Sequence, residues 1–226
     1  MLGIFDRMYT QSIELAVSHS IGPVSAIYRT PENPHCVLTL AHGAGTDMQH
    51  GFMEALTDAL TVEGIATLRF NFPFSEHGKG RPDSPSVAQE TVAAALAKAH
   101  ELCPDLPLFV SGKSFGGRMS SQYLAAHPNR RVSGVIFYGF PLHPAKKPAT
   151  DRADHLRLLT LPMLFLQGSK DALATWTLLE SVCQSLPTAS LVRLDGVDHS
   201  FRAGRADIIE RLATETRQWT ATKAAL

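Results

Sequence analysis

The sequence predicts a doubly wound α/β domain, and three observations predict it. Short apolar runs recur along the chain without polar alternation, as strands covered on both faces require. Stretches with apolar residues at helical spacing separate these runs, so strand and helix alternate at least five times. The length, 226 residues, is that of one α/β unit, about 200 to 250 residues being common for such a fold. The expectation is one domain over residues 1–226, with right-handed crossovers placing helices on both faces of a mostly parallel sheet.

The elements follow in order. Residues 12–17 alternate apolar and polar, Ile21-Gly22-Pro23 signals a turn, and a β-rich stretch runs to Tyr28, which reads as an N-terminal antiparallel pair. Unalternating strands are expected at Cys36–Ala41, Ile65–Phe70, 108–111, Val132–Tyr138, 163–167 and 190–194. Helices are expected at 52–62, where apolar residues fall at 52, 53, 56, 59 and 60, and at 86–103, 116–126, 173–186 and 206–223. The least regular segments are 73–85, rich in Gly, Pro and charge, and the proline-rich 141–154. Between the strand ending near Tyr138 and the one starting at Met163 lie only about two dozen residues, with nothing like the large apolar face of an amphipathic lid, so no large cap domain is expected.

Composition excludes several classes of partner. Lys and Arg number 21, Asp and Glu 21, and this balance gives no broad field for phosphate backbones or acidic membranes. No nucleic-acid or membrane partner is expected. Cys36, Cys103 and Cys183 lie far apart, in none of the spacings of a zinc or redox motif, and read as small buried hydrophobes in a reducing compartment. The first twenty residues carry Asp6, Arg7 and Glu14 where a signal peptide would be apolar, and no uninterrupted apolar run is long enough to span a bilayer, so a soluble, cytoplasmic chain is expected. His42, His50, His77 and His143 form no HExxH pattern and no GxGxxG follows the first parallel strand, so neither a metal nor another cofactor is expected.

Chemistry concentrates where parallel strands end. Residues 108–117 read as a buried strand, then Gly112-Lys113-Ser114-Phe115-Gly116, then a helix. A serine on a sharp strand-to-helix turn has a strained backbone, and only small residues two before and two after let the flanking chains pass. Ser114 is therefore the candidate nucleophile. It needs a base, and the base needs an orienting acid. Asp171 follows one later strand and His199 the next, so all three fall on carboxyl-end loops, in the chain order expected of this arrangement. Asp195 and Asp198 are alternative acids, but both lie too close in sequence to His199 to reach its far ring nitrogen easily. The turn His42-Gly43-Ala44-Gly45 follows the first parallel strand, and the N–H groups of Ala44 and Phe115 are the candidate oxyanion donors, with Gly45 as the substitute.

With these residues in place, the chain resembles the α/β-hydrolase superfamily. Gly112-Lys113-Ser114-Phe115-Gly116-Gly117-Arg118, Arg69-Phe70-Asn71-Phe72-Pro73, Gly139-Phe140-Pro141-Leu142-His143-Pro144 and Asp198-His199-Ser200-Phe201 resemble a subgroup of dienelactone-hydrolase-like bacterial proteins. Related domains occur in an animal chromatin-acetyltransferase complex subunit and a testis-expressed relative. The resemblance covers about residues 36–203 and implies Ser114, Asp171 and His199 as nucleophile, acid and base. Two departures bear on substrate. Dienelactone hydrolases proper have cysteine where Ser114 stands, and the subgroup commonly has methionine at Phe115 and a bulkier, Pro-containing stretch at Ala172-Leu173-Ala174.

Around this site the sequence places cations. His143, Lys146, Lys147 and Arg152 lie in the 141–154 loop, and Arg69 and Arg118 near strand ends. Arg69, His143, Lys146 and Lys147 are candidates for binding a substrate anion, or else a solvated basic surface. Lys113 is expected to point away from the serine as a structural residue. Two functions are consistent with the whole: a serine hydrolase of small soluble esters or thioesters, or a non-catalytic hydrolase-like interaction module.

Overall fold

The structure, a computed structural model, describes residues 8–202 and 208–223. Strands β1 (Tyr9–Ser18) and β2 (Gly22–Thr30) form the expected antiparallel pair. In β1 the alternation of residues 12–17 puts Leu15 inside between exposed Glu14 and Ala16, and in β2 Val24, Ala26 and Tyr28 are buried while their neighbours are not. Then follow β3 (Cys36–Ala41), α1 (Gly51–Val62), β4 (Ile65–Phe70), the short α2 (Pro73–Glu76), α3 (Pro85–Leu102), β5 (Leu108–Lys113) and α4 (Phe115–Ala126). The chain continues through β6 (Val132–Tyr138), a 3-10 segment (Asp151–Leu158), β7 (Met163–Gly168), α5 (Trp176–Gln184), β8 (Ala189–Leu194) and α6 (Ile208–Lys223).

The eight strands form one sheet in the order β1-β2-β4-β3-β5-β6-β7-β8, antiparallel at β1–β2 and β2–β4 and parallel elsewhere. From β3 the chain steps through α1 to β4 on one side, then returns through α3 to β5 on the other. The strand order therefore reverses between β3 and β5, and the crevice at their carboxyl ends is where an α/β sheet opens to a ligand. The two helices cover opposite faces. Leu38, Leu40, Phe109, Ile136 and Leu164 cluster with Met53 and Leu56 of α1 and Leu212 of α6. Val37, Val110, Val135 and Phe165 cluster with Val92 and Ala95 of α3 and Met119 of α4. Burial of each such large side chain stabilises the fold by about 1.5–3 kcal/mol, which is why the strands lack polar alternation.

Departures from the expected elements have local causes. β5 runs to Lys113, two residues beyond the apolar run, because Gly112 and Lys113 pair with Phe137 and Tyr138 of β6. The helix expected at 173–186 starts at Trp176: the Asp171 carboxylate takes the Leu173 N–H at 2.7 Å, the Ala174 N–H bonds the Asp171 carbonyl, and this turn delays the helix. Residues 206 and 207 of the helix expected at 206–223 lie outside the described residues. The β6–β7 connection holds a 3-10 segment and no helical cap. It is pinned to α4 by His155, whose Nε2 is 2.7 Å from the Ser121 hydroxyl, and to itself by Arg152, which donates to the Pro141 carbonyl at 3.3 Å. All three cysteines are buried and free, and no helix among the described residues is long and apolar enough to cross a membrane.

Candidate active site

In-register parallel pairing sets the strand ends level, with Ala41 opposite Gly112 and Gly168 opposite Leu194. The loops after β3, β5, β7 and β8 meet at that edge. Ser114 follows β5 directly, with φ +50° and ψ −113° ahead of the first turn of α4. For a residue carrying a side chain this backbone costs about 1–3 kcal/mol, and close packing around the turn holds it there. A Cβ on Gly116 would stand 2.5 Å from the Ala41 carbonyl oxygen, and one on Gly112 would run into the Gly117 nitrogen. The Gly-x-Ser-x-Gly spacing thus has a steric cause in this fold.

Opposite Ser114, the His199 Nε2 lies 2.9 Å from the serine Oγ, and its Nδ1 lies 2.6 Å from Asp171 Oδ2. A carboxylate only accepts, so Nδ1 carries the proton and Nε2 is left to accept from the hydroxyl. Asp171 is 6% exposed and meets two further donors: Gln167 Nε2 at 2.6 Å on Oδ2, and the Leu173 N–H at 2.7 Å on Oδ1. Gln167 is itself oriented by the Phe140 N–H, which donates to its Oε1 at 2.8 Å. Gln167 is not among the residues that the sequence patterns point to; the one signal for it there is an amide closing an otherwise apolar run, four residues before the acid, and the structure shows it fully buried. The alternative acids are engaged elsewhere. Asp195 is exposed and pairs with Arg193 at 2.6 Å, while Asp198 Oδ1 accepts the N–H groups of Ser200 and Arg202, both at 2.9 Å, and shapes the turn that carries His199.

The turn after β3 is built around a carbonyl. Gly43 O lies 2.8 Å from His42 Nδ1 and also accepts from the Thr46 N–H and hydroxyl. His42 Nε2 accepts the Phe72 N–H at 3.0 Å, so the ring proton is on Nδ1 and is given to Gly43. In a planar trans peptide, holding the Gly43 oxygen on one side turns the Ala44 N–H to the other. That N–H and the N–H of Phe115, first residue of α4, have no acceptor within the described residues. Both candidate donors are therefore free to take an external oxygen.

His42 is fully buried, and burial pushes its pKa down to about 4 from an ordinary 6.5. In the unfolded chain an imidazole binds a proton near pH 6.5, so between the two values the unfolded state holds more protons than the folded one. Stability is thus complete above about pH 6.5 and is lost progressively as pH falls towards 4; for His42 the loss reaches about 3 kcal/mol. His155, lowered to about 4 by burial and by Arg118, acts in the same window. Urea unfolding from neutral to acidic pH is expected to show this slope, and His42→Gln to be less stable at neutral pH but flatter on acidification. An unchanged slope in the variant would refute the assignment.

A cavity of about 390 Å³ opens beside Ser114 and His199, walled by Ala44, Phe52, Met53 and Leu173, with His50 and Arg202 in its lining. The four expected anion-binding residues are not in that wall. Arg69 is 6% exposed and faces α1, its Nη2 3.6 Å from Glu54. His143 is 2% exposed and locks two loops together: its Nε2 accepts the Thr175 N–H at 2.8 Å and its Nδ1 lies 2.9 Å from the Pro144 carbonyl. Lys146 and Lys147 are exposed on the β6–β7 loop, which is tied to α4 and away from the cavity lining. Lys113 needs the opposite correction. It does not turn away from the site but lines the cavity, and its ammonium reaches the His199 carbonyl. No group of three or more His, Cys, Asp or Glu among the described residues is placed to hold a metal ion.

The Alpha/beta hydrolase domain family matches residues 34–223. A cutinase from Botryotinia fuckeliana is 27% identical over 115 residues, spanning 49% of this chain and little more than half, 56%, of the cutinase. The crystal structure of dienelactone hydrolase from Anabaena variabilis superposes with a TM-score of 0.74 at 17% identity, over 95% of this chain and 99% of that one. A serine hydrolase without lid from Xanthomonas campestris superposes with a TM-score of 0.73 at 22% identity, over 92% of this chain and 95% of that one. These structures share the overall fold at low identity, while the family match spans most of the sequence. The chain belongs to the alpha/beta hydrolase domain family.

Proposed function

We propose that the protein is a serine hydrolase that cleaves carboxylic esters of small acyl groups, with Ser114 as nucleophile, His199 as base and Asp171 as the orienting acid. The observation that carries this reading is the continuous hydrogen-bonded line from Asp171 through His199 to Ser114, at 2.6 and 2.9 Å, ending on a strained serine beside two free N–H groups. The similarity to a cutinase and to hydrolase structures supports the same class of reaction.

In this mechanism Ser114 Oγ attacks the ester carbonyl as its proton passes to His199 Nε2. The imidazolium is held by Asp171, and the carbonyl oxygen, now carrying the negative charge, takes the N–H groups of Ala44 and Phe115. Such donors contribute about 3 to 4 kcal/mol each to the transition state. Nε2 then protonates the leaving alkoxide, leaving an acyl group on Ser114. Water attacks that acyl group with His199 again as base, the acid departs, and the proton returns to the serine. A fluorophosphonate probe tests the reading: covalent mass added to the Ser114 peptide, with hydrolysis of p-nitrophenyl acetate, is expected. Absence of both in folded protein would sink it.

Selectivity follows from the open mouth. With no cap over the cavity among the described residues, a long acyl chain leaves its distal carbons in water, and each CH2 left uncovered forgoes about 0.8 kcal/mol. The expected result is a kcat/KM maximum at short chains in a series from acetyl to palmitoyl with one leaving group. A maximum at long chains would overturn the open-site reading.

A further inference from the structure

Lys113 precedes the proposed nucleophile, yet its side chain serves the opposite loop. Its Nζ donates to the His199 carbonyl at 2.5 Å. The ammonium stands 4.9 Å from the centre of the Phe201 ring and 5.9 Å from that of Phe52, and these two rings stack on each other. The slot is closed by Gly139, where a Cβ would stand 3.3 Å from Nζ. On the loop itself, Phe201 has a φ of +59°, a backbone that a bulky residue adopts only when its surroundings hold it. Asp198 folds the turn from outside by accepting the Ser200 and Arg202 N–H groups, and Lys113 is its counterpart from within.

We propose that Lys113 is a positioning residue: by holding the His199 carbonyl and the Phe201 ring, its ammonium keeps the imidazole on the line between Asp171 and Ser114. The role rests on the serine-hydrolase reading and deepens it. A hydrogen bond from a cation is roughly twice as strong as one from a neutral amine, so the clamp depends on charge as well as reach. Facing the ammonium are Asp171 from the turn after β7, Asp198 and His199 from the turn after β8, and the rings of Phe52 and Phe201; His50 and Arg202 share the cavity wall. Burial pushes the lysine down to about 8, against the opposing pull of Asp171 and Asp198. The clamp is therefore cationic below about pH 8 and neutral above it.

The test compares wild type, Lys113→Met and Asp198→Asn in p-nitrophenyl acetate hydrolysis and fluorophosphonate labelling from about pH 6 to about pH 10, with spontaneous hydrolysis subtracted. Wild type is expected to lose activity, by about threefold to tenfold, through an inflection near pH 8. Lys113→Met, which keeps the aliphatic stem, is expected to lower kcat by about 10- to 100-fold with KM within about twofold, and to lack the inflection. Asp198→Asn keeps the oxygen that organises the turn but removes a carboxylate that favours the ammonium, so its inflection is expected at lower pH. A Lys113→Met protein with wild-type kcat and pH profile would overturn the role. If that variant does not fold, an inflection unmoved in Asp198→Asn would do the same. Wild type that neither labels nor turns over ester would overturn the hydrolase reading itself, and the positioning role with it.

Discussion

Ser114→Ala is expected to lower kcat for ester hydrolysis by about 10⁴- to 10⁶-fold while leaving the fold intact. The size of the effect follows from what the substitution removes. Without Oγ no acyl-enzyme forms, and His199 has no hydroxyl to deprotonate. What remains is substrate binding and the Ala44 and Phe115 N–H groups, which support only a slow attack by water. Little else changes. Among the described residues the Ser114 side chain makes one hydrogen bond, to His199, and alanine keeps the Cβ and hence the same steric demand at φ +50°. Thermal unfolding of the variant should therefore stay close to that of wild type, while labelling by a fluorophosphonate disappears. Near-wild-type turnover in a folded, pure Ser114→Ala protein would exclude Ser114 as the nucleophile.

What was legible in the sequence was what depends on short-range pattern. The continuous apolar runs located β3, β4 and β6 to the residue, because a strand covered on both faces has no polar position to blur its ends. That Ser114, Asp171 and His199 meet at one edge was legible because each lies within a few residues of the carboxyl end of a parallel strand, one, three and five residues after β5, β7 and β8. What failed were side-chain directions. Arg69 lies one residue before the end of β4, near the correct edge of the sheet, but it faces α1 and Glu54, a choice made by which face each residue of β4 presents. His143 and Thr175 lie 32 residues apart, so no local pattern announces the bond that turns a candidate anion ligand into a loop lock. Lys113 turns towards the site for a reason equally remote in sequence: its partner, the His199 carbonyl, lies 86 residues on. A backbone carbonyl carries no signature in the sequence at all.

Asp171→Asn is expected to lower kcat by about 10³- to 10⁴-fold, through a conflict that the surrounding donors make unavoidable. Three N–H groups converge on this carboxylate: Leu173 on Oδ1, and Gln167 and His199 on Oδ2. An asparagine must turn its NH2 towards one of the two positions. Turned to the Oδ2 side, it faces two donors and forces His199 to carry its proton on Nε2, where the ring can no longer accept from Ser114. Turned to the Oδ1 side, it faces the Leu173 N–H and keeps the tautomer, but the imidazolium formed during acyl transfer still loses its counter-charge. Gln167 cannot relieve the first conflict by flipping its own amide, because the Phe140 N–H holds its oxygen. In either orientation at least one buried donor goes unmet, at about 1–3 kcal/mol, so the melting temperature should also fall by several degrees. Asp198→Asn is the control, since its turn needs only the one oxygen that asparagine retains, and at neutral pH its kcat should stay within several-fold of wild type. The comparison is kcat and thermal unfolding for both variants in the same buffer. If Asp198→Asn proved the more damaging to kcat, Asp171 would not be the acid.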